Sequence, residues 1–158
     1  MPSSVVEIAV FGATGHEEIE IHPDAARVLA GSPDQTAWNY FTDATGRFSA
    51  GVWEGRPGTW RVSYTENEFC HLLSGLVVVR DEEGGERVLR AGDSFVIPAG
   101  FTGTWEVVET ARKLYATYEP AGEPAGEPAG EPAGEPTDKP AGEPAGETTG
   151  TDSQGPAA

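Results

Sequence analysis

Two segments framed by glycines constrain the fold of this 158-residue chain more than any other feature. The first segment follows a fixed spacing, with Gly55, Arg61, Ser63, Glu68 and Gly75 in order. The second begins at Gly92 and reads GDSFVIPAG. Because proline offers no N–H group to a strand ladder, Pro98-Ala-Gly100 should end the pairing of a strand after Ile97. Both segments therefore predict short strands that end at turns.

Short apolar or alternating runs recur along the chain, from Val5–Phe11 at the start to Lys113–Tyr118 near the end. Glycine, proline, aspartate and asparagine separate them. Regular short strands with turns between them predict a β-sandwich or a small barrel. The one candidate helix, Asp24–Leu29, ends before Gly31 and is too short to organise the fold.

The composition changes sharply at Tyr118. All Trp, Tyr and Phe residues precede this point, and an AGEP repeat follows it. The repeat has no apolar side chain larger than alanine, so it cannot bury a core. We predict an N-terminal arm at residues 1–29 that packs on a barrel domain at 30–118, followed by a disordered acidic C-terminal tail at 119–158.

Net charge is −16 and is divided equally between the two parts of the chain. Residues 119–158 carry nine acids and one lysine, and residues 1–118 carry 17 acids and nine bases, so each part has a charge of −8. Because both parts are acidic, this charge argues against nucleic acid and anionic membrane surfaces as partners. The N-terminus lacks a basic and apolar leader, and the single cysteine excludes an internal disulfide, which together predict a cytoplasmic protein.

The stretches GVWEGRPGTWRVSYTENEFCHLLSG, RAGDSFVIPAGFTGTWEV and RKLYATY resemble the small cupins grouped with the cupin domain of (S)-ureidoglycine aminohydrolase. Ethanolamine-utilisation cupins are further relatives in that neighbourhood. The resemblance covers residues 30–118 and implies an all-β fold, the cupin double-stranded β-helix or jelly-roll barrel, with a site in its mouth. Small cupins often dimerise, so we expect a homodimer.

The resemblance also implies metal-ligand positions, which this chain fills with Arg61, Ser63, Glu68 and Gly103. Only Glu68 has a side chain that suits a metal held by imidazole and carboxylate groups. We therefore expect no tightly bound metal or other cofactor. If the enzyme hypothesis holds, manganese or another divalent ion would need Glu68, Glu66 and His71. Strand alternation instead predicts that His71 is a hydrogen-bonded residue on the outer face.

If the positions implied by the resemblance point into the barrel, alternation then places four candidate ligand-binding residues on the inner face. These residues are Arg61, Ser63, Glu68 and Trp105. Cys70 would lie beside them as a small buried side chain. In one interpretation, Arg61 pairs with Glu68 and replaces the metal electrostatically. In the other, Arg61 reaches solvent and Glu68 caps a turn.

These patterns suggest three possible functions. The sequence does not identify catalytic residues. The first is binding of a small anionic or zwitterionic metabolite in the barrel, without a tightly bound metal. The second is a metal-dependent hydrolase or lyase that acts on a small nitrogenous metabolite such as a ureide. The third is a non-catalytic interaction protein that uses its repeat tail. The sequence leaves open whether the protein is an enzyme.

Overall fold

A computed structural model describes residues 4–13 and 16–121. Over these residues the chain forms one short 3-10 turn, Val5–Glu7, and nine β-strands. The strands are β1 (Glu17–Ile21), β2 (Val28–Gly31), β3 (Gln35–Thr42), β4 (Phe48–Gly55), β5 (Gly58–Ser63), β6 (Asn67–Asp81), β7 (Glu86–Arg90), β8 (Ser94–Ile97) and β9 (Thr102–Tyr118).

The strands form one curled antiparallel sheet with the order β1-β3-β4-β9-β5-β2, and β6 joins it by pairing with β7, β8 and β9. Strand β9 pairs with β5 through its first half and with β4 through its second half. Strand β6 runs along the other side of β9 over almost its whole length. The all-β jelly-roll architecture expected from the sequence is confirmed.

Strands β6 and β9 bend together where the first glycine-framed segment ends. The register between them shifts three times from Leu72 to Val77. Gly75 lies within this stretch with a φ of 90°, a backbone conformation that residues with a Cβ rarely adopt. A Cβ there would also collide with the Thr110 carbonyl oxygen and lie 2.6 Å from the Ala111 Cα atom. The glycine therefore lets the two strands stay close through the bend.

The core fills the inner face of the curled sheet. Its largest fully buried side chains include Trp53, Trp60, Trp105 and Tyr115. The ring centroids of Trp53 and Trp60 lie 6.2 and 6.5 Å from that of Trp105. The indole Nε1 of Trp53 donates a hydrogen bond to Oε1 of the buried Gln35, at 2.8 Å. Aromatic packing of this kind contributes strongly to core stability.

Two local predictions in the N-terminal part are wrong. The candidate strand Val5–Phe11 is a 3-10 turn followed by irregular backbone, with Val5, Ile8 and Val10 exposed. The candidate helix Asp24–Leu29 is a turn that leads into β2, because the Asp24 side chain accepts the Ala26 N–H and β2 then pairs with β5. Aspartate commonly satisfies backbone N–H groups in this way and competes with helix formation.

The boundaries expected at residues 29 and 118 stay predictions, although the structure gives the N-terminal segment clear partners. Strand β1 pairs with β3, and β2 pairs with β5. Most of the acidic tail, residues 122–158, lies outside the described residues. Among those that are described, no helix is sufficiently long and apolar to span a membrane.

Candidate functional site

A buried ion pair lies at the centre of the barrel. Lys113 on β9 and Glu68 on β6 are both fully buried, and Nζ of Lys113 donates to Oε1 of Glu68 at 2.8 Å. Nζ also lies 3.5 Å from Sγ of Cys70. Burial raises the pKa of the Cys70 thiol strongly, which keeps the thiol protonated. The charge of Lys113 is therefore balanced by Glu68.

Two tryptophans form the walls around this ammonium group. Nζ of Lys113 lies 4.8 Å from the ring centroid of Trp53 and 4.7 Å from that of Trp105. A cation over the face of an indole ring is attracted by the negative face of its π system. The two rings thus replace part of the water that Lys113 loses on burial.

Three polar atoms near this pair have no hydrogen-bond partner within the part of the chain that the structure describes. They are the Tyr64 hydroxyl, Oε2 of Glu68 and Nε1 of Trp105. The side chains of Glu68 and Trp105 are fully buried, and Tyr64 is only 3% exposed. Burial and the neighbouring Glu68 carboxylate raise the pKa of Tyr64 well above its usual value. The Tyr64 hydroxyl and the Glu68 carboxylate are close enough to interact with each other, but none of the three atoms makes a hydrogen bond of standard geometry. An unsatisfied buried polar atom is costly, so this arrangement favours the binding of water or a ligand.

Two adjoining grooves lie beside the aromatic rings that pack on Tyr64 and Trp105. Their volumes are about 260 Å³ and about 210 Å³. Both are lined by Val79, Arg87 and Phe101, and Phe95 adds to the second. The Phe101 ring centroid lies 6.1 Å from that of Tyr64, and the Phe95 centroid lies 6.3 Å from that of Trp105. The grooves are thus separated from the polar centre by one layer of aromatic rings.

The predicted inward position of Arg61 is wrong. The structure leaves Arg61 exposed, whereas Trp60, Val62 and Tyr64 are buried. The register of β5 on β9 places Trp60 opposite Trp105 and Arg61 opposite Thr104. Directly opposed residues share one face of a sheet, so burial of both tryptophans turns Arg61 outward. The Arg61–Glu68 pair is therefore wrong as well. The other interpretation is right that Arg61 reaches solvent, but Glu68 pairs with Lys113 and does not have the expected turn-capping role.

Of the other predicted site residues, three lie on the inner face as expected and one does not. Glu68, Cys70 and Trp105 are fully buried on the inner face, as alternation predicted. Ser63 is only half-buried and lies opposite Thr102, on the same side of β5 as Arg61. The sequence analysis missed Lys113, the actual partner of Glu68. Alternation along β9 from Trp105 would have placed residue 113 on the inner face.

The metal-ligand positions implied by the cupin resemblance do not fit a metal here. Arg61 points outward, and one oxygen of Glu68 is bound to Lys113. At Gly103 a Cβ would collide with the Arg80 carbonyl oxygen, so this backbone has no room for a histidine. The alternative ligand His71 bonds Oγ of Ser94 through Nδ1 at 2.8 Å. Within the described ranges, no three His, Cys, Asp or Glu side chains converge to hold a metal.

A second carboxylate cluster lies beside the inner site, where the barrel meets the tail. Oγ1 of Thr65 is 3.0 Å from Oε2 of Glu66 and 3.3 Å from Oε2 of Glu119. Glu119 is only 7% exposed, and a single hydroxyl proton cannot serve both carboxylates at once. Burial and the charge of Glu68 raise the pKa of Glu66 to about 7.

This raised pKa predicts a pH-dependent stability. Glu66 keeps its proton to a higher pH in the folded protein than in the unfolded chain. Its contribution to the free energy of unfolding is therefore fully present at low pH and is lost as the pH rises from about 4.5 to 7. Glu66→Gln should remove that loss and raise the free energy of unfolding at pH 8 by about 1–3 kcal/mol. Thermal melts from pH 4.5 to pH 8 measure it. Glu109→Gln, at an exposed position, is the control, and equal pH profiles for the two variants would contradict the prediction.

The curled antiparallel sheet, the glycine-framed segments and the inward glutamate on β6 define the protein as a small cupin. Residues 42–115 match the family model for the EutQ-like cupin domain. The chain therefore contains a EutQ-like cupin domain, and the wider part of the expected resemblance is confirmed.

Solved structures give the same fold. A protein of unknown function from Pseudomonas syringae pv. tomato has a TM-score of 0.59 at 24% identity, covering 66% of this chain and 44% of that chain. The EutQ protein of Clostridium difficile has a TM-score of 0.51 at 22% identity, covering 57% and 66%. A putative ethanolamine utilization protein Q from Salmonella typhimurium has a TM-score of 0.51 at 20% identity, covering 68% and 98%. No curated protein matches the sequence.

Proposed function

We propose that this cupin binds a small neutral metabolite at the polar centre of its barrel, without a tightly bound metal. The observation that carries the proposal is the set of three partnerless buried atoms around the Glu68–Lys113 pair, taken over the described residues. Nε1 of Trp105 can only donate, Oε2 of an ionised Glu68 can only accept, and the Tyr64 hydroxyl can do either. An amide or an alcohol, which has both a donor and an acceptor, would satisfy them.

The charges around the site favour a neutral ligand over the anionic or zwitterionic one expected from the sequence. That expectation depended on an inward Arg61, but Arg61 is exposed. Among the described residues, the two charged side chains that meet at the centre are Glu68 and Lys113, and their charges cancel, while the buried Cys70 thiol beside them stays protonated. A charged ligand would bring an uncompensated charge into a low-dielectric interior. A ureide is neutral and offers both donors and acceptors, so ureides are suitable test ligands.

The hydrolase hypothesis derived from (S)-ureidoglycine aminohydrolase is the weaker proposal. The hydrolysis implied by that resemblance depends on manganese, and the ligand positions of this chain do not fit a metal. Binding needs only the hydrogen-bonding atoms and apolar walls that the barrel provides. The name of the Salmonella relative refers to ethanolamine utilization, so ethanolamine, a cation at neutral pH, is a useful charged comparison ligand.

Removing the Tyr64 hydroxyl should abolish ligand binding without destabilising the empty protein. Tyr64→Phe deletes a buried hydroxyl that makes no hydrogen bond of standard geometry among the described residues and lies beside the Glu68 carboxylate, so the free energy of unfolding should change by no more than about 1 kcal/mol. A neutral ureide should raise the melting temperature of the wild type but not of Tyr64→Phe. Ethanolamine and a carboxylate of similar size should have little effect on either protein.

Tyr115→Phe is the matched control for that experiment. The Tyr115 hydroxyl accepts a hydrogen bond at 3.1 Å from Nδ2 of Asn39, in the amide orientation that satisfies both ends of that side chain. Its removal should cost about 0.5–1.5 kcal/mol of stability and leave ureide binding unchanged. If Tyr64→Phe destabilises the empty protein as much as Tyr115→Phe does, or if both variants bind like the wild type, the proposed site is wrong.

Three wider expectations stay proposals. We propose a homodimer, a cytoplasmic location and no nucleic-acid partner. The strands at the ends of the sheet path, β1 and β2, leave backbone groups that a second copy could pair with. Light scattering of the purified protein measures the oligomeric state, and a monomer at all concentrations would contradict the first of these.

A further inference from the structure

The sequence has only two lysines, Lys113 and Lys139. Lys139 lies outside the described residues. All eight arginines fall within residues 16–121, and each is exposed or half-buried. In the described part of the chain, the cations at the surface are therefore arginines, and the single lysine is fully buried at the centre of the barrel.

This distribution is chemically informative because lysine and arginine differ as reagents. A guanidinium group stays protonated in proteins and does not act as a nucleophile, whereas a lysine amine can lose its proton in a buried site and attack a carbonyl carbon. An arginine could have paired with Glu68 as a cation. The residue at this position is instead the one basic side chain that can form a carbon–nitrogen double bond.

The groups around Nζ of Lys113 suit this reaction. Oε1 of Glu68 lies 2.8 Å away and can accept the ammonium proton. Trp53 and Trp105 exclude water on two sides. Nε1 of Trp105 and the Tyr64 hydroxyl have no partner among the described residues, so each could donate to the oxygen of a bound carbonyl compound.

We propose that Lys113 condenses reversibly with small aldehydes or ketones to form an imine. The inference rests on the proposed function, since the carbonyl compound would occupy the same polar centre as a neutral ligand. It extends that function from hydrogen-bonded capture to covalent capture.

The condensation balances without an oxidant or a reductant. The Lys113 ammonium passes a proton to Glu68, and the free electron pair on Nζ forms a bond to the carbonyl carbon. The carbonyl π electrons move to the oxygen, which takes a proton from the nitrogen. Glu68 then returns its proton to the hydroxyl group, water leaves, and the nitrogen electron pair forms the C=N bond. The products are one water and a protonated imine, which keeps the positive charge beside the Glu68 carboxylate.

Reductive trapping tests this directly in the full chain. The protein is incubated with propionaldehyde and sodium cyanoborohydride, and peptide mapping by mass spectrometry measures alkylation at Lys113, Lys139 and the N-terminal amine. Alkylation at Lys113 should saturate with aldehyde concentration and exceed that at Lys139 by about tenfold at low concentration, because a bound carbonyl is held against the amine. Tyr64→Phe should slow it, and Lys113→Arg should remove it.

Arg90→Lys provides the matched control, because it adds an exposed lysine to the same domain. Its new amine should react in proportion to aldehyde concentration, without saturation. An unmodified Lys113 in wild-type protein whose Lys139 and N-terminus are alkylated would overturn the inference. If a ureide still stabilises that protein in a Tyr64-dependent manner, the proposed function stands without covalent capture. If it does not, the proposed function has failed as well.

Discussion

Replacing Lys113 with methionine should lower the free energy of unfolding by about 3–5 kcal/mol, because the change leaves Glu68 charged, buried and unpaired. Glu68→Met should have an effect of the same size by leaving the Lys113 ammonium unpaired. Both side chains are fully buried and joined by a 2.8 Å contact, so little solvent screens the charge that remains. Methionine has an unbranched side chain of similar length, which limits the contribution of an added cavity.

The double variant Glu68→Met/Lys113→Met decides between pairing and packing. If the loss in each single variant comes from an uncompensated charge, the double variant should recover most of the lost stability. Urea unfolding of the four proteins measures the coupling. A matched cycle at Glu54 and Arg112, an exposed or half-exposed pair with a 3.7 Å contact, should give about 0–1 kcal/mol. Additive losses at Glu68 and Lys113 would show that packing, not charge, dominates.

The fold could be predicted from the sequence because its signals are local and repeated. Glycine-framed spacing and short apolar runs predicted strands in the regions of β3 to β9 and the turn after Ile97, but they divided each of the long strands β6 and β9 into two short ones. The failures lie where local patterns were weak. The run Val5–Phe11 has strand-like composition but no partner strand among the described residues, and Asp24 forms a turn in place of a helix.

The site was predicted in part, and the error at Arg61 has a clear physical origin. Alternation fixes which residues of one strand share a face, but it does not say which of the two faces is inner. Motif spacing assigned Arg61 to the inner face, whereas burial of Trp60 and Val62 requires the opposite. The apolar residues determine which face of β5 is the inner one. Burying Trp60 and Val62 stabilises the fold, whereas burying an arginine without a partner costs free energy.

The partner of Glu68 could have been inferred from alternation along β9, whose buried residues are 105, 107, 111, 113 and 115, although the exposed Glu109 interrupts the pattern. Continuing the alternation from Trp105 reaches Lys113 after eight residues. The three partnerless atoms, in contrast, depend on the distances between side chains from β5, β6 and β9. No pattern within one strand can predict such distances.

Gly103→Ala should destabilise the protein by about 3 kcal/mol, at the upper end of the usual cost of overpacking. A Cβ at this position collides with the Arg80 carbonyl oxygen and lies 2.9 Å from the Phe101 ring. Backbone on β6 cannot move aside as a flexible side chain can, so β6 and β9 would have to separate. Gly103→His, which restores the usual cupin ligand type, should be less stable still and should gain no affinity for manganese.

The control for this glycine is Gly84, where a Cβ would have nothing within 4 Å. Its φ of 92° makes alanine unfavourable through backbone conformation alone, at about 1–2 kcal/mol. Gly103 has no positive φ, so its cost comes from the collision between strands. Urea unfolding should therefore rank Gly103→Ala below Gly84→Ala in stability. A reversed order, or manganese bound by folded Gly103→His, would show that β6 and β9 can open at this point and that the barrel can still hold a metal.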